Sequence, residues 1–204
     1  MKANCLGMCA VLAAVAASGC GDYVRQGNGP TQATVAVLEG ASGAEPGKFG
    51  GTMLSDVITL VKKTVNGGEQ RVPTVFNDIG RVTVIADMKD PSVTSPTPIN
   101  AITFNRYRVT YIRADGRNTP GVDVPYGFDS AVTFTVTPGS PATAGFDLVR
   151  HIAKEEAPLV GLTTNDDLIT AIAQVTFYGK DHAGNDVSAS GNIGITFGNF
   201  GDPD

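Results

Sequence analysis

Apolar and polar residues alternate with a period of two along most of this chain, the pattern of strands buried on one face. Residues 33–38 (ATVAVL) place Val35 and Val37 on one face. Residues 81–88 (RVTVIADM) bring Val82, Val84, Ala86 and Met88 together. Val132, Phe134 and Val136 alternate with Ala131, Thr133, Thr135 and Thr137. Ile169, Ala171, Ala173, Val175 and Phe177 form a fourth inward series. Ile193, Ile195 and Phe197 form the last, with Val187 in the same phase. The threonines between these positions suit the solvated face of antiparallel strands.

Residues 101–113 (AITFNRYRVTYIR) break phase: Ile102 and Phe104 share one parity, Tyr107, Val109 and Tyr111 the other. A flat strand would expose one set, so a bulge or bend near Asn105 and Arg106 is expected. Residues 54–65 (LSDVITLVKKTV) carry both a helical stripe and β-branched residues before Asn66-Gly67-Gly68, and residues 146–156 (FDLVRHIAKEE) are similarly double. Both are read as strands. The proline-containing stretches 91–98 and 138–145 read as loops within one sandwich rather than interdomain linkers, because residues 33–90 supply too few strands for a core of their own.

The composition agrees: 25 glycines and 12 prolines mark frequent turns, and long charged helix-forming runs are scarce. The fold expected is all-β, a single antiparallel sandwich of about seven to nine strands over residues 33–204. Residues 172–189 lead an aromatic-bearing strand into Asp181-His182-Ala183-Gly184-Asn185 and out through a valine-bearing one. This resembles the last hairpin of bacterial immunoglobulin-like and fibronectin-III-like modules, and the resemblance implies an immunoglobulin-like sandwich. It implies no activity, since such sandwiches host many.

The amino terminus follows a different rule. Lys2 is the only charge before Asp22, an apolar stretch runs from Leu6 to Ala17, and Ala17-Ser18-Gly19 precede Cys20. A basic start, a short apolar core and a small-residue exit describe a secretory signal, too short to span a bilayer comfortably. Ala17-Ser18-Gly19-Cys20 resembles the lipobox of bacterial lipoproteins, with alanine where that family prefers leucine. The resemblance implies a signal peptide over 1–19, acylation of Cys20 as the lipid attachment site, and a tether over 20–32 with a reach of roughly 40 Å. Several acyl chains on one residue hold stably where a single chain does not. Gly21, where proteins retained at the inner membrane often carry aspartate, favours the outer membrane within the bacterial cell envelope. The competing reading is ordinary signal cleavage that leaves Cys20 as a free thiol.

Loss of the signal would remove Cys5 and Cys9, leaving no pair for an internal disulfide, no thiolate cluster and no cysteine nucleophile. It would also remove Lys2 from the 15 basic residues, leaving 14 against 20 acidic, a net charge of −6. That balance argues against nucleic acid as a partner.

Neither His151 nor His182 sits in a zinc-binding spacing, and no serine-hydrolase elbow or phosphate loop occurs. No cofactor is expected. Asp181, Asn185 and Asp186, with Asp166 and Asp167, are the only candidate calcium ligands, and an Asx-stabilised turn explains the first three as well. Val124-Pro125-Tyr126-Gly127-Phe128 offers Tyr126 and Phe128 as an exposed ligand-binding patch or as caps on the core. The expected function is non-enzymatic: a membrane-anchored lipoprotein that binds or scaffolds another macromolecule, protein or glycan. One alternative is a carbohydrate-binding module using Tyr107, Tyr111, Tyr126 and Phe128. Another is a carboxylate-dependent envelope hydrolase.

Overall fold

The computed structural model describes residues 29–65 and 67–200. Cys20, the signal region and the tether up to residue 28 lie outside the described residues. Among these residues ten strands form, in chain order β1 (Thr31–Ala41), β2 (Thr52–Asp56), β3 (Thr59–Val65), β4 (Gly68–Thr74), β5 (Asp78–Met88), β6 (Ile102–Ile112), β7 (Phe128–Val136), β8 (Ala142–Val149), β9 (Ile169–Asp181) and β10 (Asp186–Gly198). One helical turn, α1 (His151–Lys154), follows β8, and short 3-10 turns cover Pro98–Asn100 and Leu159–Thr164.

A three-stranded sheet, β1-β5-β8, packs over a five-stranded sheet, β2-β10-β9-β6-β7. Their inner faces share one hydrophobic core, in which Phe104, Tyr107, Phe146 and Phe177 meet mostly edge to face at 5.1–6.5 Å between ring centres. Each fully buried aromatic or aliphatic side chain there contributes roughly 1.5–3 kcal/mol. The all-β sandwich expected from the alternation is therefore observed. Its pairings are antiparallel with one exception, β2, which runs parallel to β10 as the short edge strand.

The period-two series of β5, β7, β9 and β10 all point inward, as expected. The phase slip in β6 is a bulge: register shifts between Phe104 and Arg106 against both β7 and β9, and all five apolar residues are buried. Gly179 faces this bulge on β9. A Cβ there would stand 2.3 Å from the Thr103 carbonyl oxygen, so only glycine lets the two backbones approach.

Four expectations need correction. Val35 and Val37 do not share a face: β1 is bulged between them, Val37 is exposed, and Leu38 turns inward with Val35 over Gly191. Thr31 and Gln32 belong to β1 rather than the tether, held by pairing with Met88 and Asp87 and by the Thr31 hydroxyl donating to the Asn100 carbonyl at 3.1 Å. Residues 142–145 are strand, not loop; their alanines, threonine and glycine pair with β5 through residues 81–84. Residues 146–156 are strand only to Val149, after which α1 turns the chain.

Residues 54–65 are extended, but in two strands. Val57 is buried between them and donates its N–H to the Gly198 carbonyl, ending β2 against β10. The count of ten exceeds seven to nine because β3 and β4 form a separate two-stranded sheet. β4 (GEQRVPT) has no alternating apolar pattern to announce it.

Register defines two ends of the sandwich. Thr31, Met88, Ile102, Val136 and the β9–β10 turn lie where the described chain enters. Ala41, Asp78, Ile112, Val149 and Gly198 lie at the opposite, far end.

Candidate functional site

The β3–β4 hairpin leaves the sandwich at the far end, after Asp56 and before Asp78. It leans on the sandwich at its base, where Leu60, Val61 and Lys62 border Gly43, Ala44 and Phe76. Beyond that, residues 62–65 and 67–71 are exposed. The sequence explains why it stands away: threonine, lysine, glutamate and arginine occupy both faces, leaving too little apolar surface to bury.

Its root is held by a buried polar network. Asp78 opens β5 and Lys154 closes α1, and both side chains are 0% exposed. Lys154 Nζ donates to Asp78 Oδ1 at 2.7 Å and to the Asp56 carbonyl at 2.8 Å. Asp78 Oδ1 also accepts from the Gly43 N–H at 2.8 Å, and its Oδ2 accepts from the Ser55 hydroxyl at 2.6 Å. Asp56 accepts from the Thr59 hydroxyl at 2.8 Å and from the Phe200 N–H at 3.2 Å. Burial pushes the Asp78 carboxyl above its ordinary value, while Lys154, Ser55 and Gly43 pull it back. Charges this deeply buried are tolerated only when paired and hydrogen-bonded.

The network thus ties the entry of the hairpin, through Asp56 and Thr59, to its exit at Asp78. His151 adds to this: its backbone N–H and Nδ1 lie 2.6 and 3.0 Å from Asn77 Oδ1, one residue before Asp78. The result is an exposed two-stranded arm on a buried, hydrogen-bonded base. Sequence reading missed Asp78 and Lys154, because one charged residue in a polar turn looks like any other until burial is known.

The residues singled out from the sequence are dispersed. Tyr126 is 54% exposed and lies across Gly121, whereas Phe128 is 7% exposed and packs inward against Tyr107. The two do not form a shared exposed patch. The Arg150 guanidinium lies over the Phe128 ring, 4.3 Å from its centre. Tyr107 and Tyr111 are core residues whose hydroxyls donate to the Asp147 and Leu148 carbonyls at 3.1 and 2.8 Å. Burial raises both phenols above their ordinary value. Of the four rings considered for glycan stacking, only Tyr126 presents a face to solvent.

At the entry end, Asp181 closes the β9–β10 turn by accepting from the Asn185 N–H at 2.7 Å and its side-chain amide at 2.8 Å. Gly184 supplies the left-handed residue, φ +92°. Asp186 pairs with Lys180 at 2.7 Å. Asp166 and Asp167 precede β9 at its other end, some 40 Å away by strand rise, so the carboxylates considered for calcium do not converge. Among the described residues no group of three or more histidine, cysteine, aspartate or glutamate side chains is placed to hold a metal ion. His182 is exposed, 3.2 Å from the Thr103 hydroxyl, beside a shallow groove of about 340 Å³ with Pro96, Pro98 and Pro138.

Comparison of the chain with protein-family models, with curated proteins and with solved structures finds no match in any of the three.

Proposed function

We propose that this protein is a non-enzymatic lipoprotein of the bacterial cell envelope. It is lipid-anchored through Cys20, and its immunoglobulin-like sandwich docks another macromolecule through the β3–β4 arm. The arm carries this reading. It is exposed over residues 62–65 and 67–71, has no third strand among the described residues, and is fastened at its root by a fully buried ion pair. A two-stranded hairpin alone is marginally stable in water, so a partner that covers it would gain from a base already ordered. The signal-like amino terminus and the lipobox resemblance support the anchor. The chain enters at the end opposite the arm's root, which suits presentation of the arm by a tethered domain.

Two measurements test the two halves. Palmitate labelling of the chain in a bacterial host, lost in Cys20→Ser, supports the anchor; an unlabelled wild type overturns it. A photo-crosslinking residue at Lys63 should give a discrete adduct in cells, and one at Thr133 on the outer sheet face should not. Equal cross-linking at both positions, or none at Lys63, overturns docking through the arm.

A further inference from the structure

We propose that the outer edge of β3, along residues 61–65, accepts an acidic, extended polypeptide segment as a third strand. This rests on the reading of the arm as a docking element and names the chemistry of what docks.

The two edges of the arm are unequal. β4 contains Pro73, which has no N–H to donate, and begins on glycine. β3 reads TLVKKTV, rich in β-branched residues and free of proline and glycine. Among the described residues it pairs with β4 only, with Val61 opposite Val72, Lys62 opposite Arg71 and Lys63 opposite Gln70. An added strand would find backbone donors and acceptors at the spacing that strand addition uses.

Charge selects the occupant. Residues 59–74 carry Lys62, Lys63 and Arg71 against Glu69, a net +2 within a chain of −5. Lys62 and Lys63 are adjacent, so they project to opposite faces of the strand, and both are exposed. An incoming strand therefore meets a positive charge whichever face its side chains take. The Lys62 face also carries Arg71 and, opposite Thr64, Glu69, a net positive charge, whereas the Lys63 face carries Val61, Val65 and Val72. The complementary segment alternates acidic residues on the first face with apolar ones on the second. A second copy of the arm fits poorly, because like charges brought opposite one another across a strand pair repel. The same lysines guard the edge against self-pairing.

The test uses the full chain and a fluorescently labelled (Glu-Val)4 octapeptide, followed by anisotropy at low salt. Saturable binding is expected, weakened by about tenfold or more in Lys62→Glu/Lys63→Glu and retained in Arg117→Glu, a charge reversal away from the arm. Both lysines are exposed, so the double variant should keep the wild-type melting temperature. A (Lys-Val)4 peptide should not bind. A (Glu-Val)4 peptide N-methylated at every residue, which removes the backbone donors from both edges, should lose binding. Equal binding of the methylated and parent peptides, meaning attraction of a polyanion only, overturns strand addition. Absence of parent-peptide binding, or its survival in the double variant, overturns the acidic occupant. A discrete Lys63 cross-link in cells without peptide binding refutes this inference alone and leaves the docking arm standing.

Discussion

Replacing Lys154 by methionine tests the link between the buried network and the arm. Methionine fills similar volume but leaves the Asp78 carboxylate at 0% exposure with the Ser55 hydroxyl and Gly43 N–H as its remaining donors. Breaking a buried pair from one side costs about 3–5 kcal/mol, because the remaining charge stays desolvated. For a chain of this size each kcal/mol moves the melting temperature by roughly 2–4 °C, so a fall of about 6–20 °C is expected by circular dichroism.

The pH dependence has a definite sign. Burial raises the folded Asp78 carboxyl above its ordinary value, against the pull of Lys154. A carboxyl so raised contributes most below the unfolded value of about 4, and the contribution is lost as pH rises through the folded value. Without Lys154 the folded value climbs further. The deficit of Lys154→Met relative to wild type should therefore be largest at neutral pH and shrink toward pH ~4. Asp78→Asn combined with Lys154→Met removes both charges while keeping an acceptor for Gly43, and should recover most of the loss. Faster amide exchange at Gly43 and along residues 59–74 would show that the root has loosened. A deficit under about 1 kcal/mol, or one that is the same at both pH values, would refute the argument that this pair is a desolvated clamp.

Gly179→Ala would drive a Cβ to within 2.3 Å of the Thr103 carbonyl oxygen, backbone that cannot step aside. Denaturant unfolding should show a loss of about 1–3 kcal/mol or more. Deleting Asn105 removes the extra residue of the bulge and leaves Phe104 and Tyr107 two apart, so a regular strand against β9 keeps Tyr107, Val109 and Tyr111 facing the core and the chain should still melt cooperatively; a chain that no longer folds would contradict the bulge described. Phe128→Ala should cost about 3–5 kcal/mol, whereas Tyr126→Ala, at the surface, should stay within about 0.5 kcal/mol. Equal effects would mean that the two rings are not divided between core and solvent.

The inward series of β5, β7, β9 and β10 were legible because each strand is buried on one face, and burial on one face writes itself into the sequence with period two. Even the β6 bulge was legible, since two buried apolar sets of opposite parity demand an extra residue between them. The β1 bulge was not: Val35, Val37 and Leu38 are all apolar, and nothing local says which of the last two turns in. Tyr107 and Tyr111 were candidates for stacking on a ligand until their burial was known. A tyrosine in a half-buried strand looks the same from either side, and only the partner carbonyls of Asp147 and Leu148 distinguish them.

What the sequence determined by itself is therefore the class of fold, most strand positions, the positive φ turn at Gly184, and the expectation of export and acylation written around Cys20. Tertiary structure alone decided the arm and its root. β4 has no apolar period because neither of its faces meets the core, so no local signal could mark it. Asp78 and Lys154 lie 76 residues apart and belong together only because the far end of the sandwich closes over them. Solvent exclusion there turns two ordinary surface-type residues into a buried pair, and that is a property of packing rather than of pattern.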